Sequence, residues 1–525
     1  MQDKRYPHLA ASGFTLDRRR FLTGAAALGL GAGLLPGLSG RAFADGPVSG
    51  GTLRLGMSGG STTDVLDPRT LTDWVPVNVS YQIYNGLVEI DETNQAVPEL
   101  LESWESKPGA AEWIFNVRKG VTFSNGKTLD ADDIIYSINL HRGETTSGIK
   151  STLAAIADVA KVTDSQIKIT LTSGNADLPF ILSDYHLMVV PKDFTDWANP
   201  IGTGGYVLES FDPGVRIVTK KRDGYWKAGR AYVDAIETTV IGDTTARTNA
   251  LLTGEVDVIN RLDPHAIDML KGNDAISVTR NSAGQHAVFL MNCTAAPFDD
   301  VNVRMALKYG IDRQKIIDTV LRGYGVLGND HPIPRTSPYH ADLPQRAYDP
   351  DKAAFHLKKA NLSSLSVDLS VSDAAFAGAA DAGVLYQAAA AKAGITVNVK
   401  REPADGYWSN VWMKAPFCAS YWGGRPTVDQ MLSVAYLSDA SYNDSFWKRP
   451  DFDKLVIAAR TELDDAKRKE LYFEAQKQIS DDGGAMIPMF IDYLEASASH
   501  VKGVGTHPQF DLMGQRIGEK VWLEG

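Results

Sequence analysis

Residues 417–432, FCASYWGGRPTVDQML, read as a strand over 417–422, a Gly-Gly turn, then Arg425, Pro426 and a helix opening near Asp429. A strand feeding a helix through a short loop is the building unit of α/β architecture. Tyr421 and Trp422 offer flat apolar faces with polar edges. Gly423 and Gly424 permit close approach of backbone to a ligand. Arg425 is a forked cation suited to carboxylate or phosphate. No nucleophile–base pair stands in this stretch. A buried aromatic strand ending in a surface loop accounts for it equally well, so its use must be argued from the rest of the chain.

Strand and helix alternate outward from it in both directions. Residues 52–57 alternate as a first strand, and 76–89 carry Val79, Ile83 and Leu87 at helical spacing. Residues 98–104 read as a short helical piece, 113–118 as a strand, and Asp130 as the cap of a helix over 131–140. Further strands are expected at 167–171, 187–190, 206–211, 216–220, 235–240, 287–292, 367–370 and 396–400. Helices are expected at 244–253, 301–309, 314–321, 352–360 and 379–393. Ile201-Gly202-Thr203-Gly204-Gly205 lacks the Lys-Ser/Thr of a phosphate loop and precedes a strand, so it reads as a tight backbone crossing. No repeat of 20–50 residues is visible.

At 525 residues the chain exceeds one compact core and suits roughly two to four domains. Its formal charge of −11 argues against nucleic acid as a partner. Arg18-Arg19-Arg20-Phe21-Leu22, an apolar Gly/Ala run and Ala42-Phe43-Ala44 form a twin-arginine export signal over 1–44, cleaved after Ala44. Its removal takes away a net +4 and leaves −15. A periplasmic monomer is expected. Export permits a disulfide between Cys293 and Cys418, but two buried thiols are the alternative. Gly56-Met57-Ser58-Gly59-Gly60 matches a G-x-S-x-G elbow, which requires a helix directly after the serine. Loop residues follow instead, so a secreted hydrolase using Ser58 is only the alternative. His331, His340 and His356 are close in sequence without metal-ligand spacing. No cofactor, resident metal or enzymatic activity is expected.

Many blocks together resemble the extracytoplasmic solute-binding proteins of the peptide/nickel/opine class (family 5) that serve ABC importers. They include Leu66-Asp67-Pro68, Tyr84-Asn85-Gly86-Leu87-Val88, Pro98-Glu99-Leu100-Leu101-Glu102-Ser103-Trp104, Arg118-Lys119-Gly120-Val121-Thr122-Phe123 and Leu251-Leu252-Thr253-Gly254-Glu255-Val256-Asp257. The most specific is Pro297-Phe298-Asp299-Asp300-Val301-Asn302-Val303-Arg304-Met305-Ala306-Leu307.

The resemblance implies a two-lobed α/β periplasmic binding protein fold with a ligand cleft and hinge closure. It implies a first lobe at 45–292 plus 495–525 with an inserted subdomain near 88–200, and a second lobe at 293–494. It implies delivery of a peptide-like or carboxylate-bearing solute (a peptide, amino-acid conjugate or opine) to a permease with a cytoplasmic ATPase; a metal chelate is an alternative ligand. In peptide-binding members a segment after Leu-Asp-Pro lies along the ligand, and Thr72, Asp73 and Trp74 hold that position here. Tyr81 and Tyr185 are weaker candidates.

Those members also carry an aspartate a few residues after the strand tryptophan, which pairs with the ligand's ammonium. Trp422 matches the tryptophan, but Arg425 stands at the aspartate's place. Like charges about 4 Å apart at an effective dielectric of about 20 repel by on the order of 4 kcal/mol. The reading is therefore an anionic solute aimed at Arg425. Asp429 is either a compensating carboxylate or a helix cap, and Arg425 in an internal salt bridge is the bland alternative. Tyr407, Trp408 and Trp412 form a helical aromatic stripe, with Trp408 the candidate for the cleft rim.

Overall fold

The computed structural model describes residues 46–403 and 407–524; the export signal read at 1–44 lies outside them. Two antiparallel strands, Ile276–Met291 and Ala485–Ala498, organise everything else. At roughly 3.3 Å per residue each spans about 50 Å, more than one sheet requires. Ile276 to Ser282 pairs with Ala498 to Asp492, His286 to Leu290 pairs with Phe490 to Ala485, and the register breaks between Ser282 and His286. The same two strands thus serve two cores.

On one side the strands Val258–Ile259, Thr52–Met57, Ala235–Val240, Arg216–Lys221 and Tyr206–Asp212 continue the sheet. Their core holds Leu53, Leu55, Val77, Val79, Ile236 and Ile517. On the other side follow Phe417–Trp422, Leu365–Val371 and Ile395–Arg401. There Phe289, Met291, Leu307, Ile317, Leu369, Tyr386 and Phe417 share a second core. A separate four-stranded antiparallel sheet, made from residues 101–171, covers a third core with Phe115, Ile134, Ile138, Ile167 and Ile169. The helix over it, Ala131–Asn139, begins with the expected Asp130 cap, closed reciprocally by Asp133.

Three expectations are corrected. Residues 98–104 are not helical, since Leu101–Ser106 is a strand. Leu101 pairs with Val117 and Ser103 with Asn116, an irregularity of one residue that disrupts strict alternation and lets the sequence mimic a helical spacing. The helix expected at 76–89 is Trp74–Ile83, because Val88–Ile90 turns into a strand. Residues 187–190 are buried but make only a single bridge, Gly86 to Met188. The glycine loop is a backbone crossing as read: a Cβ on Gly202 would lie 2.2 Å from the Ile83 carbonyl oxygen. Cys293 and Cys418 are both free thiols. No described helix is long and apolar enough to cross a membrane.

Candidate functional site

Where the long strands pass between the cores, a cavity of about 760 Å³ opens. One wall comes from Trp74, Asp184, Tyr185 and Phe510, the other from 423–426, Asp429 and Arg460, and Tyr493 of the strand Ala485–Ala498 lies between. The first wall is aromatic. Trp74 meets Phe510 at 5.0 Å and Tyr185 at 6.1 Å, and Tyr185 stacks on His186 at 4.2 Å between ring centroids. His186 is fixed in turn by the Leu71 carbonyl at 2.8 Å and Asp184 Oδ1 at 2.7 Å.

The opposite wall carries Arg425. Its Nη1 donates weakly to the carbonyls of Gly423 and Gly424, both at 3.3 Å, and its head lies 5.7 Å from the Trp422 ring. No carboxylate among the described residues lies within salt-bridge distance of it. Desolvation by the cleft walls lowers its pKa, against the opposing pull of Tyr185, Asp184 and Tyr421. The head group is open to solvent, and an anion brought beside it gains from its charge.

Asp429 also lines the cavity, but neither sequence role holds. The cap of the helix Val428–Ala435 is Thr427, whose hydroxyl accepts from the Gln430 amide. The Asp429 carboxylate is taken by Arg460 Nε at 3.0 and 3.1 Å. Burial raises its pKa, with Arg460 pulling the other way.

Of the other sequence candidates, Trp74 and Gly423 line the cavity while Thr72, Asp73, Tyr421, Trp422 and Trp408 do not. Asp73 caps the helix Trp74–Ile83 and accepts from the Trp74 amide. Strand alternation turns Tyr421 outward and Trp422 inward. The Trp422 indole donates to Asp444 at 3.1 Å, and Trp412 donates to the same oxygen at 3.2 Å. Trp408 and Tyr421 form an exposed edge-to-face pair at 5.7 Å. Tyr81 is core, lying under the Arg516 guanidinium at 4.3 Å. Ser58 faces the Asn260 carboxamide and no helix follows it, so it has neither base nor elbow. His331 and His340 pack at 5.1 Å, whereas His356 bonds Asn302 elsewhere. Among the described residues no His, Cys, Asp or Glu cluster is arranged to hold a metal.

Asp444 gives a pH prediction. Burial pushes its pKa up to about 7, against the two indole hydrogen bonds. A carboxyl raised in the folded state contributes stability that is complete below its unfolded pKa of about 3.9 and is lost as pH rises through the folded value. Asp444→Asn should therefore flatten the fall in thermal stability between pH 4 and 8, as read by unfolding midpoints across that range. An unchanged slope would assign the titration to another group.

Two lobes joined by paired long strands, enclosing a cavity lined by aromatic rings and by a guanidinium with no carboxylate partner among the described residues, define a protein built to close around a solute. The family description "Bacterial extracellular solute-binding proteins, family 5 Middle" matches residues 95–444. The chain is 27% identical over 490 residues to the dipeptide-binding protein of Escherichia coli (strain K12), covering 85% of this chain and 90% of that one. It is 26% identical over 440 residues to the glutathione-binding protein GsiB of Pectobacterium atrosepticum, covering 80% and 85%. The structure of HbpA2 from Haemophilus parasuis superposes with a TM-score of 0.81 at 22% identity, over 90% of this chain and 100% of that one. The chain belongs to the family 5 bacterial extracellular solute-binding proteins, the binding components of ABC importers.

Proposed function

We propose that this protein captures a carboxylate-bearing, peptide-like solute in the inter-lobe cavity and hands it to an ABC permease driven by a cytoplasmic ATPase. The observation that carries this reading is Arg425, a cleft-wall cation with two weak carbonyl contacts and no carboxylate partner among the described residues. The cavity volume of about 760 Å³ falls in the range of small-molecule sites. The aromatic wall of Trp74, Tyr185 and Phe510 suits an apolar body attached to that carboxylate. The dipeptide- and glutathione-binding relatives lend support, since both named ligands carry carboxylates.

We place the passage between lobes at 283–285 and 491, a few residues from the boundaries at 292/293 and 494/495 that the resemblance implies. The register break lies there, and Ala287 to Met291 pack in the second core. The inserted subdomain is assigned to about 88–200 on its separate sheet and core. The sequence signal at 1–44 supports export by the twin-arginine route to the periplasm, with cleavage after Ala44.

A thermal-shift screen of peptides, opines, amino-acid conjugates and metal chelates tests the reading. A ligand at a hundredfold excess over Kd stabilises by about 2.7 kcal/mol. Arg425→Ala should weaken a carboxylate hit by about tenfold to a hundredfold, the value of a charge-assisted hydrogen bond. Calorimetric titration reads this directly, and undiminished affinity would remove Arg425 from the site.

A further inference from the structure

Tyr185 lines the same cavity as Arg425 but from the opposite lobe. Its ring is held on three sides: stacked on His186 at 4.2 Å, 6.1 Å from Trp74, and edge-on to Phe510 at 6.2 Å. The supporting His186 is pinned by Leu71 and Asp184, so the wall behind the ring is fixed by hydrogen bonds as well as packing. The phenol hydroxyl, by contrast, has no protein partner among the described residues, and it is not sealed from open space. A preorganised donor facing a cavity, with nothing in the protein to receive its hydrogen, is the complement of a ligand acceptor.

We propose that the solute's carboxylate is gripped from both sides of the cleft, by the Arg425 guanidinium of the second lobe and the Tyr185 hydroxyl of the first. This rests on the reading of Arg425 as the carboxylate site. Burial and the neighbouring Asp184 push the Tyr185 pKa up to about 12, so the phenol keeps its proton at neutral pH and donates it. The two groups are close enough for each to influence the other's ionisation. The Asp184 carboxylate makes no hydrogen bond to the phenol; its Oδ1 meets the ring and backbone nitrogens of His186. A carboxylate presents lone pairs to both donors at once. A primary amide offers both donors only a single uncharged oxygen and adds an NH₂ that neither can accept from, so it forgoes the charge-assisted bonds. The grip therefore selects free acids, and it makes the anion itself a tie between the lobes, which is how a ligand with differential contacts shifts a closing equilibrium.

The test measures binding of alanyl-alanine and N-acetyl-alanyl-alanine, each as free acid and as C-terminal amide, to wild type, Tyr185→Phe and Arg425→Ala. Wild type should prefer at least one acid over its amide. Tyr185→Phe keeps the ring and its packing; it should weaken the acid about tenfold or more while leaving the amide within about twofold, as expected for one hydrogen bond to a charged group. Unchanged acid affinity in Tyr185→Phe, alongside a loss in Arg425→Ala, overturns the two-sided grip and leaves the Arg425 reading standing. Equal weakening of acid and amide also overturns it, since the ring would then act by packing. No effect of Arg425→Ala, or no binding of either acid by wild type, overturns the carboxylate reading and the grip with it.

Discussion

Asp330→Ala should be the most destabilising single change among those considered, by about 3–5 kcal/mol, because it leaves several buried cations without their shared anion. Asp330 is fully buried and receives both oxygens' worth of hydrogen bonds from Arg313 Nη2 at 2.8 Å. Arg346 and the Ile487 amide bond the same carboxylate. Lys308 lies near enough to feel it, with burial pushing the lysine down to about 7 against the pull of Asp330. For Asp330 itself burial acts upward, but Arg313, Arg346 and Lys308 override it and bring the pKa to about 2. A carboxyl depressed in the folded state stabilises above its unfolded pKa, and that contribution is lost as pH falls through about 2. The difference in unfolding free energy between wild type and Asp330→Asn should therefore be full at pH 7 and shrink below about pH 4. Urea unfolding at both pH values reads it. A loss under about 1 kcal/mol for Asp330→Ala would mean that water reaches these cations.

The same region explains what the sequence could convey. The block at 297–307 was the most specific mark of family, yet its charged residues hold structure together and lie outside the cavity lining. Arg304 and Lys308 stand four residues apart on one helix face. Arg304 donates to the Asp482 carbonyl at 2.7 Å, and Lys308 to the carbonyls of Ser480 and Gly483 at 2.9 and 2.8 Å. Both satisfy the exposed carbonyl end of the helix Asp465–Asp482, where cations are favoured. That helix was illegible for a related reason. Its buried positions include Arg468, Gln476 and Ser480, so hydrogen bonds replace the apolar stripe from which a helix is usually read. The aspartate cap at 130 was legible because a cap is a local interaction, and Asp300, Asp312 and Asp349 cap their helices in the same way.

The site divides along the same line between local and distant. Arg425 was legible because Gly-Gly-Arg after a strand is a local pattern, and Trp74 because it follows a recognisable motif. Phe510 and Asp184 were not, since they reach the cavity from segments hundreds of residues apart. Trp422 lies outside the cavity lining, because matching a family tryptophan does not reveal which face of the strand it occupies; the Asp444 carboxylate draws its indole inward.

One such distant pair should control affinity without touching solute. Asp177, at the start of the helix Leu178–Ile181 that packs in the core of the four-stranded sheet, meets Arg468 of the helix Asp465–Asp482 at 2.6 Å, and both side chains are nearly inaccessible. Beside them the Ala176 amide donates to the Arg460 carbonyl at 2.7 Å. Arg460 is the residue that holds Asp429 in the cavity wall, so the contact is continuous with the site. Arg468 is also braced within its own lobe by the Ala459 carbonyl at 3.0 Å and by the faces of Tyr339 and Tyr472. The arginine is thus positioned before closure, and the aspartate must arrive. Opening the cleft returns Asp177 to water, which limits what the pair adds. Yet truncating one partner of a buried charge pair across an interface typically costs 2–5 kcal/mol and acts on dissociation. Asp177→Ala should therefore raise the off-rate of any solute by about thirtyfold or more, with the on-rate changed far less. Stopped-flow release of a screened acid measures both. Asp177→Ala/Arg468→Met should recover part of the loss, because no unpaired guanidinium then remains in the closed state. Unliganded Asp177→Ala should also scatter with a larger radius of gyration if the pair biases the closed form before solute arrives. Equal off-rates in wild type and Asp177→Ala would mean that the solute alone holds the lobes together, leaving the weight of closure on Arg425 and the wall it faces.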